Sequence, residues 1–258
     1  MRNVNNKEYG EVRELRITTD GLVIKETTIR DNDRLITIIT RDIGVINAFV
    51  KGVKSIKSKR SPATSLLAFS NFNLESKGDT YTVSEASVNK MFFGAGSDIV
   101  TLSIAQYFCE LCNILHPVEN ESEEFLRLIL NSLHFLTEGK RSPELIKAIT
   151  ELRVAVIAGY APNIVACNGC GKFEDTIMYF KFDDGTIYCK DCKNENCVSI
   201  TLTILKSMRH IVYSKFESLY SFEIPKKDAI ELSKICENYI TYQTEHKFTT
   251  LEFLRGII

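Results

Sequence analysis

The clearest chemistry in the sequence lies in four cysteines. Cys167-Asn168-Gly169-Cys170 and Cys189-Lys190-Asp191-Cys192 form two CxxC pairs separated by eighteen residues. Two thiolates at that spacing fit on one tight turn, and a hairpin between the pairs can bring two such turns together. Four sulfurs can then surround an ion tetrahedrally at about 2.3 Å. Gly171, directly after Cys170, permits the close turn that such a knuckle requires. The spacing therefore predicts a structural Zn²⁺ site held by Cys167, Cys170, Cys189 and Cys192. Four sulfur ligands leave no coordination position for an activated water, so the ion is expected to brace the fold and not to catalyse. A redox pair is the poorer reading, because a thioredoxin-type CxxC follows a strand and opens a helix, and neither pair has that setting. Cys109 and Cys112 repeat the spacing inside a helical pattern and read as core. Cys197 is a reserve fourth ligand, and Cys236 has no partner spacing.

A second concentration is electrostatic. The segment KGVKSIKSKR carries Lys51, Lys54, Lys57, Lys59 and Arg60 with no acid among them, and Arg34 and Arg41 precede it. The whole chain has a formal net charge of -1, so it has no overall field for polyanions and any attraction must be local. A basic loop leaving a small barrel is placed to follow a phosphate backbone without reading sequence. The alternative is a solvated loop whose lysines contact nothing. Phe49, Phe69, Phe72 and Tyr81 could stack on bases, but a small barrel needs interior aromatics, and the core is the expected place of each.

Several chemistries have no residues to support them. No GxxxxGK[ST] or complete GxGxxG is present, which argues against nucleotide hydrolysis and dinucleotide binding. His116, His134, His210 and His246 form no HExxH or HxE pattern and read as helix-surface or helix-end residues; no GxSxG elbow occurs. The chain is expected not to be an enzyme.

The elements that must position these residues are legible in outline. From Thr18 to Val88 the chain alternates β-branched and aromatic segments with turn chemistry. Candidate strands are Thr19–Thr27, Arg34–Arg41, Val45–Val50, Leu66–Leu74 and Thr80–Val88. Five strands in that length suit an OB-fold barrel, although an SH3-like barrel would leave a similar trace. Helical periodicity follows, with Asp98 capping a helix to about His116, a second helix over Glu121–Glu138, and Ser142-Pro143 opening a third that Gly159 and Pro162 stop. Between the CxxC pairs, Ile177–Phe182, Asp183-Asp184-Gly185 and Thr186–Tyr188 read as strand, turn and strand. Further helices begin near Thr201, Pro225 and Thr249.

The fold class expected is α+β and multidomain: an N-terminal five-stranded OB-fold β-barrel followed by an α-helical domain with an inserted four-cysteine zinc module. The expected divisions are an extension over 1–17, the barrel over 18–92, the helical domain over 93–166 and 193–258, and the zinc module over 167–192. No membrane span is credible, because Gly159, Pro162, Asn163, Asn168 and Gly169 interrupt the longest uncharged stretch. Met1 to Arg16 lacks the apolar core of a secretory signal, so the cytoplasm, at the nucleoid, is the expected location.

A barrel containing TDGLVIKETTIRDNDRLITIITRDIGVINAFVKGVK, a helical region ending in GYAPN, and the CNGC and YCKDC pairs together resemble the RecO family of bacterial recombination mediators. The resemblance runs from about Thr18 onward and is densest over Thr19–Gly52 and Gly159–Cys192. It implies an OB-fold and a helical domain carrying a zinc module. It also implies binding of single- and double-stranded DNA, strand annealing, and, with a RecR-type partner, help in loading recombinase onto single strands coated by single-strand-binding protein. Family DNA contacts map onto Arg34, Arg41, Lys51 and Lys54, with the loop lysines beyond them. The helical domain is implied to receive the acidic tail of single-strand-binding protein. Residues 1 to 16 extend beyond the usual family start, and zinc ligation varies within the family, so the intact four-cysteine set carries the metal expectation. Two rival classes are a protein-protein adaptor with a purely structural barrel, and an RNA-binding factor.

Overall fold

A computed structural model of the chain describes residues 15–30, 33–53, 60–78, 80–93 and 97–257. The chain divides into two compact units, Met1–Thr40 with Ile46–Lys90, and Arg41–Val45 with Met91–Ile258.

The first unit is a closed barrel of five strands: β1 (Leu15–Arg30), β2 (Asp33–Thr40), β3 (Val45–Val50), β4 (Ala68–Lys77) and β5 (Thr80–Met91). Their order around the barrel is β1-β2-β3-β5-β4. Strand β1 starts inside the segment expected to be an extension and outruns its expected bounds at both ends, because it serves two partners. Its first half pairs antiparallel with β4 (Leu15↔Ser76 to Leu22↔Phe69) and its second half with β2 (Gly21↔Thr40 to Thr28↔Arg34). Gly21 sits where the pairings overlap, and a Cβ there would lie 2.5 Å from Ile38 Cγ2 and 2.9 Å from Ile39 O, so only glycine permits this approach. The expected Leu66–Leu74 strand begins two residues later because Leu67 takes a left-handed conformation (φ 63°), its N–H donating to Val23 O at 2.9 Å. A short helix, α1 (Arg60–Ala63), precedes β4 in a basic stretch that carries no helix signal of its own. The barrel interior takes Val23, Ile36, Ile38, Ala48, Val50, Phe72, Leu74 and Val83. Among the barrel aromatics expected inside, Phe72 is buried, but Phe49 is 40% exposed, because the alternation of β3 turns it away from the interior.

The second unit is helical: α2 (Ile99–Leu115), α3 (Glu119–Glu138), α4 (Pro143–Ile157), α5 (Leu202–Tyr213), α6 (Lys226–Thr244) and α7 (Thr249–Ile257). The predicted caps act as expected: Asp98 Oδ2 accepts from Thr101 N at 2.9 Å, and Ser142 Oγ accepts from Leu145 N at 3.1 Å with Pro143 opening the helix. Cys109 and Cys112 lie buried in α2, where burial pushes the Cys109 thiol up to about 12 and raises Cys112 as well. No described helix is long and apolar enough to cross a membrane.

One polar cluster holds α4 to α6. Lys147 Nζ lies 2.8 Å from Glu151 Oε1 and 2.6 Å from Glu237 Oε2, Tyr107 OH donates to Glu151 Oε1 at 2.8 Å, and Arg255 of α7 pairs with Glu237. One buried ammonium serves two carboxylates. Glu237, also paired with Arg255, stays below its ordinary range against the opposing pull of burial, whereas burial pushes Glu151 up to about 7.

Candidate metal centre and nucleic-acid interface

The stretch after α4 folds into a small three-stranded sheet, β6 (Ile177–Lys181), β7 (Thr186–Tyr188) and β8 (Cys197–Thr201), in the order β7-β6-β8. Strands β6 and β7 form the hairpin expected between the cysteine pairs, and β8 is an addition. The hairpin returns Cys189 toward Cys167: Asn168 N donates to Ile187 O at 2.8 Å, and Cys189 N donates to Cys167 Sγ at 3.2 Å. Each pair closes its own knuckle, through Gly171 N to Cys167 O at 2.8 Å and Lys193 N to Cys189 O at 3.0 Å.

The four predicted ligands meet. The sulfurs of Cys167, Cys170, Cys189 and Cys192 all lie within 4.8 Å of one another, and Cys170 Sγ and Cys189 Sγ are 3.7 Å apart. A tetrahedron with metal–sulfur bonds of about 2.3 Å has edges of about 3.8 Å, so this spacing fits a tetrathiolate ion. The electrostatics agree. Burial raises the Cys167 thiol, but the N–H groups of Cys189, Cys170 and Gly169 outweigh it and bring it down to about 6, while hydrogen bonding with Cys170 and Cys189 pushes Cys192 up to about 12. Four sulfurs this close cannot all be thiolates on their own; a cation among them removes that conflict. The cluster can therefore hold a metal ion. Cys197 stays outside it, with its Sγ on Asn194 Oδ1 at 3.2 Å.

Several supporting residues gave no signal in the sequence. Gly169 leaves the space into which the second knuckle fits: a Cβ there would lie 2.8 Å from Cys192 Cβ and 3.0 Å from its Sγ. Arg209 of α5 stitches the module to the helices. Its Nε donates to Ile164 O at 2.8 Å, Nη2 to Val165 O and Phe173 O at 2.7 Å each, and Nη1 to Glu174 Oε1 at 2.9 Å. From α6, Tyr239 OH donates to Tyr160 O at 2.8 Å and Gln243 Nε2 to Phe182 O at 2.7 Å. Most of these acceptors are backbone carbonyls, which leave no residue-type pattern to read.

The basic residues are more dispersed. Lys51 is exposed just beyond β3, where Gly52 N donates to Asp33 Oδ1 at 3.0 Å and fixes the end of the strand. Arg60, partly covered, directs Nη1 toward Val83 O and Ser84 O at 3.5 Å each. Arg34 is mostly enclosed. Its Nη1 donates to Thr64 O at 2.9 Å and pairs with Glu26 Oε2 at 3.2 Å, so its guanidinium holds the segment after α1. Arg41 is exposed and falls in the second unit. Lys54, Lys57 and Lys59 lie outside the described residues.

Comparison with known proteins covers both units. The family model described as "Recombination protein O N terminal" matches residues 15–92, and that described as "Recombination protein O C terminal" matches 96–252. Among curated relatives, the chain is similar to "DNA repair protein RecO" of Acetivibrio thermocellus, 32% identical over 243 residues that cover 93% of this chain and 97% of the relative. It is 30% identical to the protein of the same name from Caldicellulosiruptor bescii over 93% of this chain and 98% of the relative. The corresponding protein of Symbiobacterium thermophilum is 27% identical over 91% and 95%.

Proposed function

The chain belongs to the recombination protein O family of DNA repair proteins, and from that premise we propose that it is a non-enzymatic mediator that binds DNA strands and anneals them. In this reading an OB-fold barrel carries the DNA, and the protein, working at the nucleoid with a RecR-type partner, helps load recombinase onto strands coated by single-strand-binding protein. The helical unit receives that protein's acidic tail.

The observation that carries the reading is the exposed Lys51 at the end of a barrel strand, opening a run of five cations in ten residues on a chain of net charge -1. Annealing needs no covalent step. A cationic surface lowers the repulsion between two phosphate backbones and leaves the bases free to choose their partners. Arg34 serves this surface through the segment it holds, while Lys51, Lys54, Lys57, Lys59 and Arg60 supply the charge, and Arg41 is a separate DNA contact of the second unit.

The ion we assign to the cysteine cluster is Zn²⁺, held by Cys167, Cys170, Cys189 and Cys192. Four-sulfur ligation with N–H groups on the ligand sulfurs suits a structural zinc, which contributes folding energy to the module. Arg209, Tyr239 and Gln243 pass that order to α5 and α6.

The test is annealing of complementary oligonucleotides with no nucleotide added, followed by competition between DNA and RNA. Accelerated duplex formation with DNA preferred supports the mediator. RNA displacing DNA without annealing would favour an RNA-binding factor, and binding of neither would favour an adaptor.

A further inference from the structure

Strand β3 alternates strictly. Ile46, Ala48 and Val50 are buried, while Asn47 and Phe49 are exposed on the opposite side, and Lys51, directly after the strand, is exposed as well. Phe49 thus stands on the outer surface of the barrel between an amide and an ammonium. The other described aromatics of this unit differ: Phe72 is buried, and Phe69 and Tyr81 are partly covered. The strand that presents Phe49 is fixed on both sides, by the parallel pairing of Phe49 with Thr82 on β5 and by Thr37 Oγ1 donating to Asn47 Oδ1 at 2.8 Å. Phe49 and Lys51 are two residues apart, a separation of about 7 Å in extended chain. A single nucleotide can span that separation between its base and its phosphate.

We propose that Phe49 is a stacking platform for one unpaired base whose phosphate is met by Lys51, making single-stranded DNA the preferred ligand of this face. The inference rests on the DNA-binding reading above and adds which form of DNA is taken. An exposed ring on a rigid strand offers its face at little cost in ordering, and every base has a face to give, so the contact tolerates any sequence. A duplex keeps its base faces inside its own stack and cannot use the platform.

The chain contains no tryptophan, so Phe49→Trp introduces a single indole whose fluorescence reports stacking directly. Titrating that variant with an oligothymidylate is expected to quench the indole, and the matching duplex is expected to leave it nearly unchanged. Phe49→Ala is expected to weaken single-strand binding about 5- to 100-fold with duplex affinity preserved, and Phe49→Tyr to retain it. Phe49 is exposed, so unchanged thermal unfolding of these variants would tie any loss to binding. If the parent protein binds single strands, Phe49→Ala binds them equally and the indole is unquenched, the platform is refuted while the DNA-binding reading stands. If the parent binds no DNA in dilute buffer, both fall together.

Discussion

The guanidinium of Arg209 lies 4.1 Å from the centre of the Phe173 ring and donates from Nη2 to the carbonyl oxygen of the same residue at 2.7 Å. One side chain of α5 thus grips one residue of the cysteine module by both ring and backbone. Two further carbonyls and Glu174 complete its hydrogen bonding. Arg209→Ala is expected to lower stability by about 2 to 3 kcal/mol, since it removes four charge-assisted hydrogen bonds, two of them partly buried. Arg209→Lys restores only part, because an ammonium lacks the planar fork. Hydrogen exchange should localise the loosening to residues 164–175, with metal content unchanged.

The cysteine cluster predicts one zinc per chain. Cys170→Ser or Cys192→Ser is expected to abolish stoichiometric zinc and open residues 165–195 to protease, as should a strong chelator. Gly169→Ala tests the geometry separately: the added methyl would press on Cys192, so zinc affinity should fall while all four sulfurs remain. Metal analysis alongside thiol counting reads both.

Lys147→Ala would leave Glu151 and Glu237 facing each other in the core without their cation, and is expected to cost about 3 to 5 kcal/mol in denaturant unfolding. Glu151 sets a pH dependence of definite sign. Its carboxyl is raised from 4.5 to about 7 by burial, so its stabilising contribution is complete below about 4.5 and is lost as pH rises toward 7. Glu237, held low, acts oppositely, losing its contribution as the pH falls below its ordinary range. Glu151→Gln removes the first slope, on the order of 2 to 3 kcal/mol across that window, and should leave the second.

Arg34 separates a structural from a direct role in DNA binding. Its bonds to Thr64 O and Glu26 hold the segment after α1, so Arg34→Ala is expected to cost about 1 to 3 kcal/mol of stability. Its effect on DNA affinity should shrink at low temperature, where the barrel stays fully folded. Lys51→Ala is expected to do the reverse, lowering affinity with stability unchanged; thermal unfolding and a binding isotherm on each variant decide it.

Much of this architecture is legible in the sequence, and where it is not the reasons are physical. Strand β3 and helix α4 fall where expected, because alternation in VINAFV and the Ser142-Pro143 start are local signals. The four-cysteine cluster is legible because ligand chemistry demands both residue type and spacing. Strand β8 is not, since only Ile200 of Cys197–Thr201 is buried and no alternation shows. The ends of β1 and β4 depend on partners far along the chain and on a left-handed Leu67. Arg209 is invisible for a similar reason: its main partners are carbonyls, which every residue possesses. The side of β3 on which Phe49 falls is implicit in the alternation, but it conflicts with the expectation that small barrels bury their aromatics, and the alternation prevails.

In the function proposed above, charge gathered at the barrel grips phosphate without reading sequence. The most direct test is the affinity for an oligothymidylate as a function of salt, measured for the parent protein and for a variant with Lys51, Lys54, Lys57, Lys59 and Arg60 all changed to Gln. The parent is expected to bind with a steep salt dependence, and the variant to keep its fold but bind more weakly, with a log-log slope shallower by about 0.7 for each phosphate no longer neutralised. Equal affinity and equal slope in the two proteins, or no uptake by the parent even in dilute buffer, would contradict it.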